Sequence, residues 1–215
     1  MVCGLGLMLL LYGCINADTV VFVRKDGSGT VTETVLIKDE LAAWTTTNSA
    51  ADILAAQKTR CAEKAGAMGP AVRLKSVGEI RKNGMTGFQA VYTFRDVQRL
   101  TIDQQPDVTM AAKPAGGIQP ITFGFERSET PTLVINIPKP PADEKGASQP
   151  VEPPNHKTLA TERRAVIRTL LSNFRVQCRV TVQGKVTGTD ASCIDPIDKN
   201  TVTLFDFNIG KLAED

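Results

Sequence analysis

The stretch that decides the fold is residues 72–94, which read VRLKSVGEIRKNGMTGFQAVYTF. Its second half alternates apolar and polar side chains, which indicates a β-strand with one buried face. The alternating residues expected in the core are Phe88, Ala90, Tyr92 and Phe94. Asn83-Gly84 separates this run from an earlier strand-like run, and this dipeptide is the strongest short signal for a β-hairpin. Tyr92 would mark a binding surface or, as we expect, be a core aromatic with its hydroxyl at the edge.

Flanking segments predict more hairpins. Residues 19–37 read as two strands that turn at Asp26-Gly27-Ser28-Gly29. That turn also resembles part of a calcium loop, but only Asp26 and Glu33 offer carboxylates, so a plain turn is favoured. Residues 121–125 and 133–137 predict another hairpin, and Asp96 is expected to cap a short helical turn.

Two segments have helical periodicity. Residues 39–68 look helical, with an interruption at Thr45–Asn48. After the interruption Leu54, Cys61 and Ala65 share a face, and Gly66 and then Gly69-Pro70 end the helix. Residues 158–173 carry the apolar stripe Leu159, Val166, Leu170 and Leu171. Strands are predicted at 174–182, 186–193 and 201–207. The predicted class is α+β, with antiparallel β-hairpins forming a curved sheet and two main helices packed on one side.

The N-terminal run MVCGLGLMLLLYGC is uncharged and too short to span a bilayer, which needs ~20 apolar residues. Its ending, Leu11-Tyr12-Gly13-Cys14, looks like a bacterial lipobox, in which the cysteine receives lipid. We predict a lipoprotein signal peptide at 1–13 and lipid attachment, including palmitate, at Cys14. An ordinary secretory signal or a buried first helix are the alternatives.

The rest of the chain is expected to form one body in two parts, 14–137 and 158–215, joined by a proline-rich loop or linker at 138–157. That linker holds the single histidine, His156. Arg163, Arg164 and Arg168 are expected on a solvated helix face, with a contact to anionic lipid as the alternative.

Composition excludes several classes of function. Basic residues number 25 and acidic residues 23, so the sequence carries no basic field for nucleic acid. One histidine and no Cys-x-x-Cys argue against a metal site, and no cofactor is predicted. The motifs G-x-S-x-G, S-x-x-K and H-E-x-x-H do not occur.

The remaining cysteines leave alternatives open. Cys61 is expected to be a small buried residue, with a reactive thiol as the alternative. An exported protein can form a disulfide, and Cys178 and Cys193 are the candidate pair. A two-residue turn at Gly184-Lys185 would place Cys193 diagonal to Cys178, too far for easy bridging, whereas a bulge would bring them opposite.

The chain resembles the LppM-like group of bacterial lipoproteins. The resemblance lies in the lipobox at 11–14, the Tyr-x-Phe-x-Asp-Val ending of the strand near residue 94, and the Val182–Val186 glycine turn followed by the strand from Asn200 to Leu204. It covers the two ends of the body but not residues 104–155. It implies an α+β body with a curved antiparallel sheet and carries over no catalytic residue.

The expected function is therefore that of a lipoprotein of the bacterial envelope that acts as a binding or assembly protein and not as an enzyme. The expected location is the outer membrane, facing the periplasm, because Ile15 and not the retention signal Asp follows Cys14. The expected partners are the membrane, an envelope protein, a lipid or a glycan. The alternative is a hydrolase that uses carboxylates such as Asp96 and Asp103, or Cys61.

Overall fold

The structure is a computed structural model, and it describes residues 15–39, 50–104, 119–138, 175–188 and 198–208. In chain order its elements are β1 (Ile15–Val23), β2 (Gly29–Lys38), α1 (Ala50–Met68), β3 (Arg73–Lys82), β4 (Met85–Phe94), a 3-10 turn (Val97–Arg99), β5 (Thr101–Ile102), β6 (Ile121–Glu126), β7 (Thr132–Asn136), β8 (Arg175–Val182) and β9 (Thr201–Asn208). The predicted signal peptide, Cys14, Cys193 and the helix at 158–173 lie outside the described residues.

Six strands form the main sheet in the order β3-β4-β2-β1-β8-β9. The predicted hairpins β1–β2 and β3–β4 are confirmed, and Asn83 and Gly84 both have positive φ, at 54° and 70°. Positive φ at both central residues is what a type I′ turn requires, because its twist matches that of the strands. The alternation in β4 is also confirmed, since Ala90, Tyr92 and Phe94 are buried.

The prediction of a purely antiparallel sheet is wrong. Strand β1 runs parallel to β8, with Thr19 opposite Cys178, so the sheet is mixed. A parallel pair requires a long crossover connection, and here more than a hundred residues separate the two strands. Hydrophobic alternation shows that a segment is a strand, but it does not identify the neighbouring strand.

A second sheet of three strands, β5-β6-β7, shares no strand with the main sheet. The hairpin β6–β7 is confirmed, with Phe123 opposite Ile135. The Phe125 ring packs over the β1–β2 turn, 3.0 Å from where a β-carbon on Gly27 would be. The Gly27 carbonyl accepts a hydrogen bond from the Val97 N–H at 2.9 Å, which ties the 3-10 turn to the same loop.

The helical part of the predicted fold class also needs correction. The described residues are mostly β-strand and contain one α-helix, α1, instead of two main helices. This helix ends as predicted before Gly69, and it packs mainly against β3. No helix among the described residues is long and apolar enough to cross a membrane.

One core lies between α1, the second sheet and the inner face of the main sheet. It takes Cys61, Ala65 and Met68 from the helix, together with central side chains of both sheets. Tyr92, Leu100, Ile121, Val21 and Val31 are the larger members with no or almost no exposure. Because the inner faces of β1, β2 and β4 all contribute, burial here holds the sheet's register.

Candidate functional site

A buried ion pair joins α1 to the inner face of the main sheet. The Lys64 ammonium lies 2.9 Å from Oε1 of Glu33, and the two side chains are 20% and 11% exposed. Glu33 projects from β2 in the same direction as Val31, so its carboxylate lies at the edge of the apolar core. A buried carboxylate requires a cation or hydrogen-bond donors, and the helix supplies the cation.

Tyr92 is the second partner of this carboxylate. Its hydroxyl donates to Oε2 of Glu33 at 3.3 Å, across the β2–β4 pair. Burial, followed by the negative charge of Glu33, raises the pKa of Tyr92 far above its ordinary value, so the phenol stays protonated and remains a donor. Tyr92 is therefore the core aromatic that its pattern predicts, and its hydroxyl, although buried, reaches the Glu33 carboxylate at the edge of the core.

A small cavity of about 20 Å³ lies beside this pair, which is room for about one water molecule. We call it the inner cavity. Its polar lining comes from Thr19, Glu33, Lys64, Asp103 and Gln104, and its apolar lining includes Ala17, Val176 and Phe205. A cavity of this size is far smaller than the ~300–1,000 Å³ of a small-molecule pocket, so it suits a buried water beside these charges.

Cys178 also lines the inner cavity. Its side chain is 1% exposed. Burial, and to a lesser degree the charges of Asp18 and Glu33, raise the pKa of Cys178 to about 12. The thiol is therefore protonated at neutral pH, and a protonated thiol is a poor nucleophile.

The other cysteine candidates have different outcomes. Cys61 is buried in the core on α1, as the simpler interpretation predicts. The bridge between Cys178 and Cys193 stays a prediction. Its proposed register is wrong, however, because Cys178 is flanked by Thr19 of β1 and Phe205 of β9 instead of a strand at 186–193.

Asp96 and Asp103, the two carboxylates of the alternative hydrolase interpretation, lie in different parts of the structure. Asp96 caps the 3-10 turn, where its Oδ1 accepts from the Gln98 N–H at 3.1 Å. Asp103 follows β5 and lines the inner cavity with Glu33. The structure thus places Asp103 in the lining of the same cavity as Glu33, and Asp96 at the cap of the 3-10 turn.

Residues Asp26-Gly27-Ser28-Gly29 form the turn between β1 and β2, as the sequence predicts. The Ser28 hydroxyl and N–H both donate to Oδ1 of Asp26, at 2.7 and 2.9 Å, and hold the pKa of that carboxyl below its usual value. Glu33 lies on the inner face with Lys64. Within the described residues, no group of three or more His, Cys, Asp or Glu side chains could hold a metal ion.

The Glu33–Lys64 pair is the feature that sequence reasoning missed. The signal was present, because Glu33 falls between Val31 and Val35 on the face expected to be apolar. A carboxylate in such a position predicts a buried cation nearby. Choosing Lys64 as that cation required knowledge of how α1 crosses the sheet.

Comparisons with known proteins give one weak similarity. No protein-family model and no curated protein matches the chain. The NMR structure of the folded domain of the Mycobacterium tuberculosis LppM protein is similar to it, with 14% identity over 94% of this chain and 88% of that one. The TM-score is 0.36. A similarity of this size establishes neither the family nor the function.

Proposed function

We propose that the chain is a bacterial envelope lipoprotein, lipidated at Cys14, whose body binds another envelope component and does not catalyse a reaction. The observation that carries this proposal is the position of the lipobox-like ending, which directly precedes β1 at Ile15. The first strand after the cysteine is thus an interior strand of the main sheet. Such a body would be held at the membrane without a spacer.

The chemistry of the anchor fits this arrangement. A single acyl chain binds a bilayer only marginally, at roughly 0.8 kcal/mol per buried CH₂, so stable anchoring needs more than one chain. A diacylglycerol on the Cys14 sulfur, with a further acyl chain on its amine, meets this need. The proposed location is the outer membrane facing the periplasm, because Ile15 stands where an inner-membrane retention signal has Asp.

The inner cavity has room for about one water molecule, so it does not itself identify a ligand for the binding role. Of the residues named for the hydrolase alternative, Cys61 is buried in the core and Asp96 caps the 3-10 turn, so neither supports that alternative. We therefore propose binding and not catalysis as the role of the body.

Replacing Cys14 by alanine is expected to move the protein from the membrane fraction to the soluble fraction and to abolish palmitate incorporation. The matched control is Cys3→Ala, which alters a cysteine upstream of the lipobox and should leave both properties unchanged. Membranes are washed in high salt before fractionation, because salt screens contacts between surface charges but does not extract an acyl chain. A Cys14→Ala protein that stays with salt-washed membranes would overturn the anchor.

A further inference from the structure

We propose that one end of the main sheet docks on the phospholipid headgroups of the membrane that holds the anchor. This inference rests on the proposed lipidation of Cys14. We call the surface the proximal end, and it is formed by the strand ends nearest Ile15. Across the sheet these are Lys82 in β3, Met85 in β4, Lys38 in β2, Ile15 in β1, Arg175 in β8 and Asn208 in β9.

Chain length decides which end faces the membrane. Cys14 is one residue from Ile15, and one residue spans at most about 3.6 Å. Strand β1 has nine residues, so the far end of the sheet, at Val23, is about 30 Å away. A lipid attached to Cys14 therefore holds the proximal end, and not the far end, next to the membrane.

The charges of the proximal end suit phosphate groups. Arg81 and Lys82 are exposed, and Lys38 is half-buried. Among the described residues, the acidic side chains here are Glu79, Asp39, Asp18 and Asp206, and each has a partner within the protein. Glu79 pairs with Arg81 at 3.0 Å, Asp206 with Arg175 at 2.7 Å and Asp18 with Arg179 at 2.5 Å, and Asp39 accepts from the Thr86 hydroxyl. Of the described cations at this end, Lys38 and Lys82 are thus the best placed to reach headgroups.

An exposed aromatic ring adds apolar contact at the same end. Phe207 is the penultimate residue of β9 and is 58% exposed. It pairs with Val176 in β8, one position from the Asn16–Arg175 pairing at the start of that strand. Lys38 and Lys82 lie towards the β3 edge of this end and Phe207 lies at the β9 edge. Basic and aromatic side chains on one surface are the combination that binds at the boundary between headgroups and acyl chains. Docking would fix the orientation of the body, while the acyl chains supply most of the affinity.

Lysine footprinting tests this orientation with the lipidated full-length protein. The protein is reconstituted in vesicles of phosphatidylcholine with or without phosphatidylglycerol, acetylated briefly and analysed by mass spectrometry. Lys38 and Lys82 should react about fivefold more slowly in vesicles that contain phosphatidylglycerol. Lys25 and Lys185 are internal controls, because they lie together at the far end and are exposed, and their rates should not change. High salt should remove the difference.

A matched pair of variants sharpens the result. Lys82→Gln should reduce the protection of Lys38, whereas Lys185→Gln should leave it unchanged. If the protein floats with the vesicles but the lysines at both ends are acetylated at equal rates, the proposed docking is wrong and the proposed anchor is unaffected. Protein that does not float with the vesicles at all would overturn the anchor, and the docking with it.

Discussion

Replacing Gly87 by alanine is expected to lower the free energy of unfolding by about 3 kcal/mol or more. Gly87 lies in β4 between β2 and β3, opposite Leu36 and Ile80. A β-carbon at this position would lie 1.8 Å from the Val35 carbonyl oxygen and 2.9 Å from the Leu36 Cα. Both obstacles are backbone atoms of a paired strand, so the contact can be relieved only by breaking the β2–β4 ladder.

The matched control for Gly87 is Gly78. It lies in β3 next to β4, and a β-carbon there would meet nothing within 4 Å. Gly78→Ala should therefore change the free energy of unfolding by no more than about 0.5 kcal/mol. Urea denaturation of the soluble Cys14→Ala protein measures both effects. An alanine tolerated equally well at both positions would contradict the register between β2 and β4.

Replacing Lys64 by methionine is expected to lower the free energy of unfolding by about 2 kcal/mol. The change keeps most of the side-chain volume but leaves the Glu33 carboxylate, itself buried, without its ammonium partner. Removing one partner of a fully buried pair costs roughly 3–5 kcal/mol, and the remaining exposure of Lys64 reduces that figure. Adding Glu33→Gln should recover most of the loss, because the amide oxygen still accepts from the Tyr92 hydroxyl.

The exposed pair between Arg81 and Glu79 provides the comparison for this variant. Its side chains are 78% and 45% exposed, and exposed pairs contribute little because solvent screens them. Arg81→Met should therefore cost no more than about 0.5 kcal/mol. If Lys64→Met cost as little as Arg81→Met, or if Glu33→Gln did not rescue it, the ion pair would not stabilise the core.

Local signals in the sequence predicted the local structure well. Asn83-Gly84, the alternation that ends at Phe94 and the DGSG turn each depend on neighbours in the sequence, and each is confirmed. The capping role of Asp96 is confirmed for the same reason. These features are set by φ preferences and by hydrogen bonds over two to four residues, which the sequence displays directly.

Long-range pairing could not be predicted in this way. The sequence pattern from residue 174 suggests a strand that turns back at Gly184, yet β8 lies between β1 and β9. Alternation in Val176, Cys178 and Val180 specifies which face is buried but not which strand is adjacent. The inner cavity depends on the pairing of β1 with both β2 and β8. Glu33 lines the cavity from β2 and Cys178 lines it from β8, on the two sides of β1.

The central claim is that β1, which begins next to the proposed lipid site, joins the two halves of the sheet by pairing with both β2 and β8. Methyl NOE spectroscopy tests this claim most directly, because neighbouring strands lie about 4.8 Å apart. The parallel register predicts contacts between Ala17 and Val176 and between Val21 and Val180. Contacts instead between Ala17 and Val180 and between Val21 and Val176 would show an antiparallel pair, and no contact between β1 and β8 would separate the halves; either result would contradict the claim.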